Sequence, residues 1–178
     1  MASVWEAQVS QPRALSWRQV SAPIRALGRW ITIVQLVGYT TSLLFVHHTT
    51  GMTPAGVATH YRGDGADSAA SEVAMEFPKS YAEMLTITHT HLLSMAVIFV
   101  LSGLALALCE RPSEGWRRGL IVEPFVALLV SFSAMWLMRY VDARFAWLLA
   151  ASSAVMAVTF YAQSFFVLRE LARPADPA

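Results

Sequence analysis

All five histidines of this 178-residue chain, His47, His48, His60, His89 and His91, lie between positions 47 and 91. Imidazole is the commonest metal ligand and the usual axial ligand of b-type haem, which takes one ring from each of two facing helices. His47 and His48 close one apolar run, and His89 and His91 stand near the start of the next. The two pairs are therefore expected at similar depth on neighbouring helices, where haem b or a metal ion could sit between them. Helical periodicity restricts the arrangement, because His89 and His91 are separated by about 200° and cannot both face one metal on an undistorted helix. His91 shares a face with Met84, Thr88 and Met95, and His89 with Leu85, Thr86 and Leu93. Either one ring ligates while the other bonds a carbonyl, or the two serve different partners. Glu83 lies closer to the His91 side and could orient a ligand histidine by accepting its second ring proton. The plainer alternative makes these histidines polar residues at a headgroup boundary, bonded to carbonyls or water. His60, beside Tyr61 and Arg62, reads as a surface residue of a short helix.

Other chemistries lack their residues. A single cysteine, Cys109, excludes an internal disulfide, and without a CxxC or CxxCH segment finger-type zinc and covalent haem have no ligands. Thirteen Lys plus Arg against twelve Asp plus Glu leave a net charge of +1, too little to attract nucleic acid. No P-loop, GxGxxG, GxSxG or HExxH is present. A channel or carrier would need polar residues aligned through several spans, whereas Gln35, Ser131, Ser133, Ser152, Ser153 and Gln163 are scattered.

The elements that must position the histidines follow from composition. With 56% hydrophobic and 14% charged residues, the chain reads as a membrane protein. Four runs reach the roughly 20 apolar residues that a bilayer core requires: 27–46, 86–108, 120–138 and 145–167. The fold class is thus all-α, a polytopic bundle of four transmembrane helices with a structured outer loop, 48–85, between the first two. Residues 1–26 form an N-terminal arm, 27–168 the transmembrane domain and 169–178 a tail. The arm is polar and contains Pro12 and Pro23, unlike a cleavable signal. The first span, interrupted by Gln35, Tyr39, Thr40, Thr41 and Ser42, should face other helices more than lipid. The short link 139–144 makes spans three and four antiparallel neighbours.

Arginines gather in the arm, in the connection after span two and in the tail, so both termini are expected in the cytoplasm. Trp136, Tyr140 and Trp147 then mark the outer interface, and Trp30 and Trp116 the inner one. Thr53 followed by Pro54 starts a short helix ending near Tyr61, and Gly63 to Ser71 reads as a turn. Ser80 and Glu83 form a capping box that starts the second long helix near Tyr81. Arg62 and Lys79 could clamp an anion or a partner, or close local salt bridges. Gly38 with Ser42, and Gly103 with Ala107, are small pairs that would let helices approach. Glu123-Pro124 is explained if the proline lies in the first helical turn and the carboxylate meets the helix dipole.

The segment Met52 to Met95 resembles a poorly characterised family of small bacterial four-span membrane proteins. The matching residues are Thr53 to Val57 (Thr-Pro-x-Gly-Val), Tyr61 to Gly63 (Tyr-Arg-Gly), Phe77 to Ser80 (Phe-Pro-Lys-Ser) and Thr88 to Leu92 (Thr-His-x-His-Leu). The resemblance implies an outward loop packed on paired helices, in companions of membrane electron-transfer complexes. Two expectations result. One is an accessory subunit of a respiratory or photosynthetic assembly, held by lipid and neighbouring membrane subunits and carrying aromatic outer faces such as Phe160, Phe165 and Phe166. The other is a membrane redox protein that binds haem or metal through the outer histidines.

Overall fold

The structure, a computed structural model, describes residues 15–63 and 77–175. The expected turn beyond Gly63, the loop acids Asp64, Asp67, Glu72 and Glu76, and the last three residues of the tail lie outside them. Among the described residues there are five helices and no strand: α1 (Ala22–Thr50), α2 (Pro54–Arg62), α3 (Tyr81–Ala107), α4 (Glu114–Tyr140) and α5 (Phe145–Leu171). The four long ones are each apolar and long enough to cross a membrane, as their composition requires.

Every long helix extends beyond its apolar run, because polar residues at a helix end can still bond along the backbone. Pro23 sits in the first turn of α1, where its missing N–H costs nothing. Gly51, at φ 60°, ends α1 in the left-handed conformation and returns its N–H to the His47 carbonyl. Thr53 caps α2 by accepting the Gly56 N–H, and Ser80 with Glu83 forms the full reciprocal box at the start of α3.

α4 and α5 share the most extensive contact, as their six-residue link demands, and α5 also touches α1, α2 and α3. α1 and α3 touch least of all the packed pairs. The first span is therefore peripheral: only 11% of its apolar window is buried, against 33% for α4. The expectation that its polar residues face other helices is met by Gln35, Tyr39 and Thr40 and not by Thr41 and Ser42. Gln35 reaches the Ile98 carbonyl (3.4 Å) and Thr40 bonds Tyr161 (2.8 Å), but Thr41 and Ser42 bond only their own helix. Gly38 has open space in front of it, so that small pair brings no helix close; Gly103 does, lying in ordinary contact with Ile121 of α4.

The middle of the core is Phe99, Leu128, Met156 and Phe160, with Tyr39 stacked on Phe160 at 4.3 Å. Phe160 is fully buried, which corrects its assignment to an outer face; Phe165 is exposed as expected. Ser131 of α4 bonds Ser152 of α5 at 2.8 Å, so two of the apparently scattered hydroxyls join the two best-packed helices. At the end opposite α2, Trp17 tucks under the bundle with Leu106, Cys109, Val167 and Leu171. Its indole donates to the Ala105 carbonyl at 2.7 Å, and its ring fills the space where a Gly28 side chain would stand. Arg25 and Arg29 of α1 donate to the Leu171 carbonyl, capping the end of α5.

Candidate functional site

α2 closes one end of the bundle against α1, α4 and α5. The residues of the Thr-Pro-x-Gly-Val segment each act here: Thr53 caps, Pro54 opens the helix, and Gly56 lets α2 approach the last turn of α1. Arg62 donates to the Met138 carbonyl at 2.7 Å, the Lys79 N–H bonds the Tyr61 carbonyl at 3.0 Å, and Arg139 donates to the Lys79 carbonyl at 2.9 Å. The Tyr-Arg-Gly and Phe-Pro-Lys-Ser segments are thereby stitched to each other and to α4. Thr88 accepts the Trp136 indole N–H at 2.8 Å and donates to the Met84 carbonyl at 2.7 Å. Burial raises the Tyr61 hydroxyl above its ordinary pKa. Beyond α2, Asp142 accepts from the Arg144 backbone and guanidinium, which hold its carboxyl below the ordinary range.

The four histidines of the expected ligand set sit at this same end, and all are exposed. His47 and His48 occupy the last turn of α1. The His91 Nδ1–H donates to the Ile87 carbonyl at 2.9 Å, and the ring tilts against Phe132 with centroids 6.4 Å apart. Because a carbonyl only accepts, that bond places a proton on Nδ1. His60 stands edge-on to Tyr61. Glu83 Oε2 accepts the Ser80 N–H at 2.7 Å, so the carboxylate is engaged in the capping box. With α1 and α3 scarcely touching, no packed interface among the described residues encloses both pairs. Among the described residues no group of three or more His, Cys, Asp or Glu is placed to hold a metal ion.

A second polar site lies at the opposite end. α4 begins at Glu114, so Pro124 lies well inside the helix rather than in its first turn. The dipole account of Glu123-Pro124 therefore fails, since that effect falls off within one turn. Proline has no N–H to give the carbonyl four residues earlier, which is that of Leu120. Gln163 of α5, fully buried, supplies the missing donor: its Nε2 meets the Leu120 carbonyl at 2.5 Å. Two buried acceptors remain without a partner there among the described residues, Gln163 Oε1 and Glu123 Oε2. The sequence signal was available, as a proline inside an apolar run leaves a carbonyl needing a donor from elsewhere.

Cys109 has no chemistry to offer. It is 2% exposed, and burial, reinforced by the charge of Glu170, pushes its thiol up to about 12. The thiolate is the reactive species, so the native protein in mild detergent at pH 8 should not react with a maleimide, whereas the SDS-unfolded chain should react fully. Rapid native labelling would show that the Trp17 seal is open.

Residues 51–178 match the model of the Aq_1264_TM family, described as a transmembrane helical domain. No curated protein and no solved structure matches the chain.

Proposed function

The chain belongs to the Aq_1264_TM family of transmembrane helical domains, and we propose that this multi-pass membrane protein is an accessory subunit of an electron-transfer assembly in the bacterial inner membrane, with both termini in the cytoplasm. The observation that carries the reading is the outward face of α1. Leu27, Trp30, Val34, Gly38, Thr41, Phe45 and His48 follow one another at intervals of three or four residues and all are exposed. That is the spacing of one helix face, with a small residue at its middle that lets a second helix approach. A polar, least-packed span at the edge of a bundle is completed by a neighbour's helix. The α2 cap, with Arg62 and Lys79 tied into it, presents the surface that an extrinsic partner would meet.

The alternative, a haem or metal site using His47, His48, His89 and His91, needs that same neighbour. His48 lies on the outward stripe, so a ligand ring there would face the partner rather than α3.

Extraction of a tagged chain at native abundance in mild detergent, followed by native electrophoresis, tests the proposal. Migration within a large assembly with other membrane proteins is expected. Gly38→Leu, where a Cβ meets nothing within 4 Å, should release the chain from it and leave its own unfolding midpoint unchanged or slightly raised. Migration alone, or only with copies of itself, would overturn the accessory role.

A further inference from the structure

α4 buries Pro124, Leu128, Ser131 and Met135 against the bundle. Half a turn round the helix, Gly115, Gly119, Val122, Val126, Leu129 and Ser133 follow one another at alternating intervals of four and three residues, and all six are exposed. At about 100° per residue they lie within about 40° of one direction. Alternating fours and threes are the a and d spacing of a helix that packs along its length on another. A Cβ at Gly115 or Gly119 meets nothing within 4 Å, so no described helix of this chain uses the close approach that the two glycines permit.

The polar groups of this face are unmatched too. Ser133 lies nineteen residues into α4, about 28 Å along a helix about 40 Å long, and so within the apolar layer. Its hydroxyl has no hydrogen-bond partner among the described residues. Arg118 and Glu123 flank the seam, about 60° to one side and about 80° to the other. Neither forms a hydrogen bond or an ion pair among the described residues. Arg118 is exposed, and half-buried Glu123 lines a cavity of about 580 Å³ beside Gly115, Trp116 and Gly119. A carboxyl group nine residues into a membrane-spanning helix is costly without a cation or a donor.

We propose that α4 packs in parallel on the α4 of a second copy of this chain, about a two-fold axis along the membrane normal. Copies of one chain insert in one orientation, so a two-fold pair of spans is parallel. With this seam Arg118 holds a g position and Glu123 the following e position, and those positions form ion pairs between parallel helices. Each Arg118 then reaches the partner's Glu123 by way of the cavity beside the glycines. Side chains tilt toward the N-terminus of their helix, which brings Glu123 back toward the level of Arg118. Further along the seam, the two Ser133 hydroxyls meet and bond each other. The charges select a second copy over an unrelated helix, since one sequence supplies both halves of each ion pair. α1 and α4 share no packed contact, so this face is separate from the one that carries the accessory role.

Disulfide trapping of the full chain in its membrane tests the pairing. A single cysteine is placed on the seam (Val122→Cys) or, as a control, on the exposed face of α5 (Val158→Cys); Cys109 is buried, so the unaltered chain should give no link. Copper phenanthroline should join Val122→Cys copies at least about tenfold faster than Val158→Cys copies, because a packed pair holds its cysteines at high effective concentration. Adding Arg118→Glu should slow the linking at least about tenfold, and adding Glu123→Arg to that variant should restore it. Equal rates at the two positions, linking of Val122→Cys only to a different protein, or a rate unmoved by Arg118→Glu would overturn the inference. Val122 and Arg118 are both exposed, so those variants keep the fold; should Glu123→Arg fail to fold, the effect of Arg118→Glu decides alone. A linked pair outside any larger assembly supports this dimer while overturning the accessory role, and an assembly holding one copy does the reverse.

Discussion

Replacing Gln163 by leucine should destabilise the bundle by about 1–3 kcal/mol, the cost of a buried carbonyl left without its donor. The effect is expected to depend on a residue in another helix. Pro124 withholds the N–H that would normally bond the Leu120 carbonyl, and Gln163 Nε2 replaces it. In a Pro124→Ala background the helix regains its own donor and Gln163 becomes dispensable for this bond. Pro124→Ala alone loses the packing of a fully buried ring, so its sign is not diagnostic; the coupling is. A double-mutant cycle from unfolding in mixed detergent micelles should give an interaction of about 1 kcal/mol or more. If Gln163→Leu costs the same with and without the proline, the replacement-donor account is wrong.

Gly56→Ala is expected to cost about 1–3 kcal/mol through overpacking and to lift α2 from the bundle. A Cβ on Gly56 would stand 2.0 Å from the Thr50 carbonyl oxygen and 2.9 Å from its carbon. Those atoms are backbone in the last turn of α1, where Thr50 Oγ1 donates to the Val46 carbonyl, so they cannot swing aside as a side chain would. α2 must then move, carrying Arg62 from the Met138 carbonyl and Tyr61 from Lys79. A lowered unfolding midpoint and faster proteolysis between residues 50 and 80 would register this. Gly38→Ala serves as the control: it lies in open space and should be neutral or slightly stabilising, since alanine favours a helix over glycine by up to about 1 kcal/mol. Equal effects at both glycines would refute the steric argument.

The glycine in Thr-Pro-x-Gly-Val shows how differently parts of one motif could be read. Thr53 and Pro54 announce a helix start from local chemistry alone, and α2 begins there. Gly56 gives no local sign of its purpose, because its constraint is the carbonyl of another helix. The histidines repeat the lesson. Their shared end of the bundle was legible from their position between apolar runs. Their exposure was not, because it depends on how α1 and α3 are rotated and on α5 lying against both. Trp17 likewise looked like part of a polar arm, yet it plugs the end opposite α2.

What the chain's residues determined unaided is the all-helical class, the four spans, the short helix after Thr53 and the capping box at Ser80, since hydrophobic run length and cap chemistry act over a few neighbouring residues. The packing alone decided that α1 would be peripheral, that Phe160 would be buried, and that Gln163 would meet the carbonyl that Pro124 leaves bare, 43 residues away. Those outcomes depend on the rotation of each helix about its own axis and on which helix lies beside it. An apolar periodicity restricts that rotation only weakly where lipid and protein interior are equally apolar.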